Sequence, residues 1–214
     1  MLSGVMNGGS SLAWDVFSII GTAAFAISGA IVAMEEEYDI FGVYILGMVT
    51  AFGGGAVRNL LIGVPVSVLW EQESLFIVAT VLITLIFFFS KYLLSHWNRW
   101  GTYFDAIGLG AFAIQGAMLA MQLHMPLYAV IVAAVLTGAG GGVIRDLLAA
   151  RRPLVFKEEI YAVWAAIAGL VVGLGIFESD LDLYALLVLT AGMRILSLIF
   201  HWKLPQRKIH TSQR

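Results

Sequence analysis

Two short runs in the chain combine residue types that chemistry inside a membrane could use. Gly53, Gly54 and Gly55 precede Arg58 and Asn59, and Gly140, Gly141 and Gly142 precede Arg145 and Asp146, so both runs read GGG-x-x-R-[ND]-L-L. Each Gly costs about 1 kcal/mol relative to Ala in a helix interior, and three in succession invite a kink or a short unwound stretch. Carbonyls bared there are tolerable in a bilayer only where they are buried in protein or line a hydrated cavity. In such a cavity they are ligands for a monovalent cation, with K+ the expected ion and no side-chain metal ligand required. The competing reading is close helix packing, because small residues let membrane helices approach. An arginine inside an apolar helix is expensive unless it faces the bundle interior or water. Arg58 and Arg145 are therefore candidates for tuning or gating a path, or for clamping a substrate carboxylate. Arg194, also inside a helix, needs a partner of its own, an exposed carbonyl or an acidic residue.

Further polar residues fall at related positions: Ser28 with Gln115, Thr50 with Thr137, and Ser18 with Asp105. They are candidates for lining the path, although hydroxyls and amides in membrane helices also bond neighbouring helices or their own backbone. The four histidines lack metal-ligand spacing, and the absence of cysteine excludes disulfides, thiolate ligands and a cysteine nucleophile. No nucleophile elbow, phosphate loop or carboxylate pair is present, so the chain is not expected to be an enzyme or to need a cofactor. A net charge of -2 gives no sign of nucleic-acid binding.

The elements that must position these residues are helices in lipid. With 60% hydrophobic residues, 12% charged residues and a mean hydropathy of +0.92, the chain is too apolar for a soluble domain of 214 residues. A spanning helix takes about 20 mostly apolar residues. Seven segments approach that length: Trp14 to Met34, Ile40 to Val66, Leu75 to Ser90, Tyr103 to Leu123, Leu127 to Ala150, Ile160 to Phe177 and Leu183 to Leu204. No basic stretch precedes the first run, so a cleaved signal peptide is not expected.

An internal repeat organises the seven segments. Sliding the sequence by 87 positions lays Ser18 to Met34 on Asp105 to Met121 with ten identities in seventeen. The same shift lays Thr50 to Leu61 on Thr137 to Leu148 with seven identities in twelve. The expected fold is thus an all-α membrane protein of seven transmembrane helices in a single membrane domain, 1–214. It divides into a first repeat (14–94), a second (102–177), a seventh helix (182–204) and a basic tail (205–214). Three helices per repeat is an odd number, so the second copy enters from the opposite side. Inverted repeats mark proteins that hold a binding or permeation site near the midplane.

Nine of the twelve basic residues, Lys91, Arg99, Arg151, Arg152, Lys157, Lys203, Arg207, Lys208 and Arg214, fall on one side of this arrangement. Cytoplasmic loops are enriched in Lys and Arg, so the N-terminus is expected outside the cytoplasmic (inner) membrane and the C-terminus in the cytoplasm.

The doubled glycine–arginine motif, the FAISGA segment Phe25 to Ala30, and the closing helix with Arg194 and Trp202-Lys203-Leu204-Pro205 resemble the prokaryotic trimeric intracellular cation (TRIC) channels, a family also described as glycine transporters. The resemblance spans about residues 14 to 205. It implies a homotrimer in membrane lipid, with a pore in each subunit lined by kinked second and fifth helices and passing potassium and other monovalent cations, sodium among them. The pore residues it implies are Gly53 to Gly55, Gly140 to Gly142, Arg58 and Arg145. Ser18 stands where the family's first repeat usually carries the aspartate that Asp105 supplies in the second. The Lys-Glu-Val motif of the animal branch is missing, so lipid gating is not implied. The expected function is a potassium-permeable channel, and the alternative is a secondary transporter for glycine or a similar small amino acid. Small residues on the first and fourth helices, Gly29, Ala30, Gly116 and Ala117, are the expected trimer contacts.

Overall fold

The computed structural model describes residues 11–93, 100–156, 160–176 and 179–205. These residues form seven α-helices: α1 (Ser11–Glu35), α2 (Ile40–Ile62), α3 (Glu73–Leu93), α4 (Trp100–Gln122), α5 (Leu127–Leu148), α6 (Ala162–Gly173) and α7 (Asp180–Ile199), with 3-10 turns at Val66–Glu71 and Leu154–Phe156. Local chemistry sets their ends. Asp39 caps α2 by accepting from the Gly42 amide at 2.8 Å. The helix stops at Gly63, which is left-handed at φ 77°, two residues before Pro65. Ser179 and Asp182 form a reciprocal capping box at the start of α7.

Five helices, α1, α2, α4, α5 and α7, are long and apolar enough to cross a membrane by length and composition. Helix α6 falls short of that measure. It has only 12 residues, about 18 Å at 1.5 Å per residue, whereas α3 has 21. The expected segment Ile160 to Phe177 is therefore shortened at both ends. Tyr161 stands before the first turn of α6, and Gly175, at φ 64°, turns the chain out of it. Arg99, Lys157, Arg207, Lys208 and Arg214, on which the orientation partly rests, lie outside the described residues, as does the tail beyond Pro205.

Helix α1 packs on α2, α3 and α4, and α5 packs on α2, α4 and α6. The contacts are reciprocal under the 87-residue shift. A Cβ on Gly21 would lie 2.5 Å from the Phe112 ring, and one on Gly108 would meet the ring of Phe25. Those two rings stack edge to face at 5.2 Å. Between α2 and α5, a Cβ on Gly54 would lie 2.6 Å from the Thr137 carbonyl oxygen, and one on Gly141 would meet the Thr50 carbonyl. In each pair the residue number falls on one helix as it rises on the other. Helices α1 and α4 therefore run in opposite directions, as do α2 and α5.

The expected unwinding at the glycine triplets is not there. Both α2 and α5 stay helical through Gly53–Gly55 and Gly140–Gly142. The physical reason is that the triplets face each other: without Cβ atoms the two backbones meet, and that packing holds the glycines in regular helix. The small residues of α1 and α4 are likewise used within one chain. Gly29 lies against Thr50 and Gly47, Gly116 against Thr137 and Ala133, and Ala30 and Ala117 are fully buried. They are not available as trimer contacts.

Candidate functional site

The spacing GGG-x-x-R does a definite job in both halves. The arginine stands three positions after the last glycine, about one helical turn, so each guanidinium folds back over that glycine. A Cβ on Gly55 would lie 3.8 Å from Nη2 of Arg58, and one on Gly142 would lie 3.7 Å from Nη2 of Arg145. The next residue completes the motif. Arg58 Nε donates to Asn59 Oδ1 at 3.0 Å, and Arg145 Nε donates to Asp146 Oδ1 at 2.9 Å. Both arginines are buried.

Beyond this shared core the two sites differ in charge. Arg145 Nη1 pairs with Asp105 Oδ1 at 2.6 Å and donates to Ser28 Oγ at 2.7 Å, while its Nη2 pairs with Asp146 at 2.8 Å. Asp146 in turn accepts from the Leu154 amide at 3.0 Å, which fixes the chain leaving α5. The Tyr161 hydroxyl and the Asp105 carboxylate share the space left by the missing side chain of Gly142. One guanidinium thus meets two carboxylates.

At the other site, Arg58 Nε and Nη2 both donate to the neutral Asn59 side chain, Nη2 at 2.7 Å. Its Nη1 is buried without a hydrogen-bond partner among the described residues. The positions that supply Asp105 and Ser28 in the second site are Ser18 and Gln115 here, and Gln115 Nε2 donates to Ser18 Oγ.

Cavities approach the two arginines from opposite ends of α1. One, of about 170 Å³, is lined by Ser28, Glu35, Thr102, Arg145, Asp146 and Arg151 among others. At its rim Arg151 pairs with Glu35 at 2.7 Å and with Glu36, tying the end of α1 to the chain after α5. Burial lowers the Arg151 pKa, but hydrogen bonds to Glu35 and Glu36 outweigh that effect and hold it above its ordinary value. A second cavity, of about 20 Å³, is lined by Thr22, Gly55, Arg58, Gln72, Gln115 and Thr137 among others. A third, of about 410 Å³, is lined by Trp14, Asp15, Ser18, Glu71 and Gln72 among others, and shares Gln72 and Leu75 with the second. Between the two ends lie the Phe25–Phe112 pair and the α2–α5 glycine crossing.

The sequence-predicted residues thus fall into three groups. Ser28, Asp105 and Arg145 converge with Asp146, while Arg58, Gln115 and Thr137 line one cavity. Gly53, Gly54, Gly140 and Gly141 serve the crossing: a Cβ on Gly53 would touch Ile144, and one on Gly140 would lie 3.1 Å from the Gly54 Cα. Thr50 and Thr137 each donate to the carbonyl four residues back, Leu46 and Ala133, at 2.6 Å. Arg194 is fully buried. Its Nη1 reaches the Ile160 carbonyl at 3.4 Å, and its guanidinium lies 4.8 Å from the centroid of the Tyr161 ring. The carbonyl partner was expected, but Tyr161 was not singled out. It sits at the start of a helix 33 residues from Arg194, and no periodicity links the two.

The family described as Glycine transporter matches the chain twice, over residues 15–92 and 102–176. The membrane protein YvgT of Bacillus subtilis is 65% identical over 196 residues, covering 92% of this chain and 97% of its own. A structure described as the structural basis for conductance through TRIC cation channels is 38% identical, with a TM-score of 0.81 over 92% of this chain and 98% of the other. A prokaryotic TRIC channel crystallised in 0.5 M KCl is 30% identical, with a TM-score of 0.84 over 91% and 100%. The all-helical fold is shared with these channels.

Proposed function

Because the chain belongs to the glycine transporter family and shares its fold with TRIC channels at 30–38% identity, we propose that it is a monovalent cation channel, potassium-permeable, of the cytoplasmic membrane. The observation that carries the proposal is the pair of polar cavities that approach the α2–α5 crossing from opposite ends, each walled by the arginine of one motif. Water-lined cavities that meet buried charge inside apolar helices are the expected form of an ion path. The crossing at Gly54 and Gly141 and the Phe25–Phe112 pair then form the barrier between the cavities, so the conformation described is closed there.

Cations entering from the inner end meet Asp105, Asp146 and Glu35. Arg145, Arg151 and Arg152 stand at the same cavity, so these carboxylates balance the guanidinium charge there and keep it from repelling a cation. Conduction needs the two triplets to part, and glycine is suited to that step because no side chains interlock at the crossing. Carbonyls bared by that opening, such as those of Thr50 and Thr137, would then replace part of the ion's hydration shell. The reciprocal contacts of α1 with α4 and α2 with α5 support two inverted three-helix repeats, with α7 added, and α3 and α6 as their third spans. The resemblance to trimeric intracellular cation channels extends the proposal to a homotrimer with one path per subunit.

A second reading has its own observation. The uncompensated guanidinium of Arg58 suits the carboxylate of a small amino acid such as glycine, as a secondary transporter would use it. Purified protein in a planar bilayer separates the two. Discrete potassium currents are expected, with glycine uptake into proteoliposomes no greater than in empty vesicles. Saturable glycine uptake without currents would replace the first reading by the second.

A further inference from the structure

The two halves of the molecule display the same arginine in two states of compensation. In the second half the guanidinium receives a carboxylate oxygen at 2.6 Å from Asp105, a residue one helix away. In the first half the 87-residue shift places Ser18 where Asp105 stands, and its hydroxyl is too short and too weakly charged to do the same. Arg58 is left with Asn59 alone, its Nη1 buried and without a protein partner among the described residues. It lines a cavity of about 20 Å³ whose other polar walls are Thr22, Gln72, Gln115 and Thr137; Thr137 spends its proton on the Ala133 carbonyl, whereas Gln72 and the second amide N–H of Gln115 can donate to a ligand. A space of this size admits about one water-sized group. Charged arginine surrounded by neutral donors, in a space of that size, is the chemistry of an anion site.

We propose that Arg58, with Gln72 and Gln115, binds a small monovalent anion, a halide ion or a carboxylate group, which takes the place in the first half that Asp105 fills in the second. Access runs through the outer cavity of about 410 Å³, which shares Gln72 and Leu75 with the site and leaves room for the rest of a small carboxylic acid. The two acids in the wall of that outer cavity, Asp15 and Glu71, line it and not the Arg58 cavity. They weaken anion entry and make the site one of modest affinity. The consequence for permeation rests on the channel reading: the bound anion neutralises the positive charge of Arg58 on the path, so that a cation can pass it.

Binding is tested without reference to currents. The melting temperature of the purified protein is measured in potassium HEPES, whose anion is too large for the site, against rising potassium chloride, potassium formate or glycine at constant ionic strength. A ligand bound only by the folded state raises the melting temperature by mass action. The expected result is a saturable rise with chloride or formate in the wild type that is lost in Arg58→Gln. Ser18→Asp should also lose it and melt higher than the wild type in HEPES alone, because it supplies the carboxylate internally. Ser18→Asn, of similar size and uncharged, should keep the response. A rise with chloride identifies a halide site, and one with formate or glycine alone identifies a carboxylate site. No response in the wild type, or an equal response in Arg58→Gln, overturns the proposal, as does loss of the response in Glu71→Gln, which would make Glu71 part of the site. If the binding results hold while the protein carries no potassium current in any of these anions, the channel reading fails and the anion site stands.

Discussion

Two residues of the same type, at matched positions and both buried, have opposite energetic standing. Arg145 is held by Asp105, Asp146 and Ser28, whereas Arg58 has, among the described residues, the neutral Asn59 alone. Taking a charge out of water costs several kcal/mol, and that cost is repaid only by close, well-oriented partners. Removing Arg145 therefore leaves two buried carboxylates without compensation, a change that typically costs about 3–5 kcal/mol. Removing Arg58 deletes a charge that the protein itself does not compensate. In a buffer free of small anions, Arg145→Gln is expected to lower the stability of the purified protein by that order, and Arg58→Gln to change it by less than about 1 kcal/mol in either direction. Unfolding in detergent, followed by circular dichroism, measures both. Equal losses in the two variants would show that Arg58 has a counter-charge within the protein. Gly142 explains why the tight cluster is possible at all, because a side chain there would collide with the Tyr161 hydroxyl and crowd Asp105.

Among the elements, α2 and α5 determine how closely the halves of the molecule meet. The carbonyls of Thr50 and Thr137 are backbone atoms that cannot swing aside, so a methyl group on Gly141 or Gly54 must push the two helices apart. Gly141→Ala is expected to lower the melting temperature by several degrees, whereas Gly192→Ala in α7, where a Cβ meets nothing within 4 Å, leaves it unchanged or raises it slightly through better helix propensity. If Gly141→Ala is as stable as the wild type, the crossing is not a packed contact and the closed-barrier reading fails with it. The helices themselves were legible in the sequence, since apolar length and the caps at Asp39, Gly63 and Ser179 are local signals. The kinship of the halves is read from identities in one frame, and the antiparallel contacts of α1 with α4 and α2 with α5 are consistent with it. Whether the triplets unwind was not legible. Glycine propensity favours a break, but the energy that opposes it comes from a partner helix 87 residues away. The short α6 was missed for a related reason: its apolar run continues past Gly175, and hydropathy does not register a residue with positive φ. Of the site, Arg145 with Asp146 was readable from adjacency. The convergence of Ser28 and Asp105 on Arg145, and the position of Tyr161, depend on how α1, α4 and α6 pack.

At the scale of the whole molecule, the antiparallel pairing of related helices sets the topology. Gly21 meets Phe112 while Phe25 meets Gly108, so the start of α1 lies at the same end of the bundle as the end of α4. On the inverted-repeat reading, related helices pointing in opposite directions have the halves entering the membrane from opposite sides, which an odd number of spans in the first half achieves and an even number does not. Helix α6 must then count as a span although it has only 12 residues. About 18 Å of helix cannot cross a hydrocarbon core of about 30 Å unless the flanking chain or a locally thinned bilayer makes up the difference. The nine basic residues that the sequence assigns to one side lead to the expectation that this side is the cytoplasm. A reporter active only in the cytoplasm should therefore work when fused after Arg207, and one active only outside should work between Glu178 and Asp182, after α6. Those two fusion points are separated by α7 alone, so together they test its crossing. A third fusion, after Arg152, separates the possibilities for α6. Cytoplasmic activity there, with outside activity between Glu178 and Asp182, makes α6 a true span. Activity on the same side at both points would leave α6 as a helix that dips and returns, and the second half would then lack its third crossing. In that case α4 and α5 would still run opposite to α1 and α2, but the second half would be an incomplete copy of the first, and the C-terminus after α7 would lie on the opposite side from the one the basic residues imply.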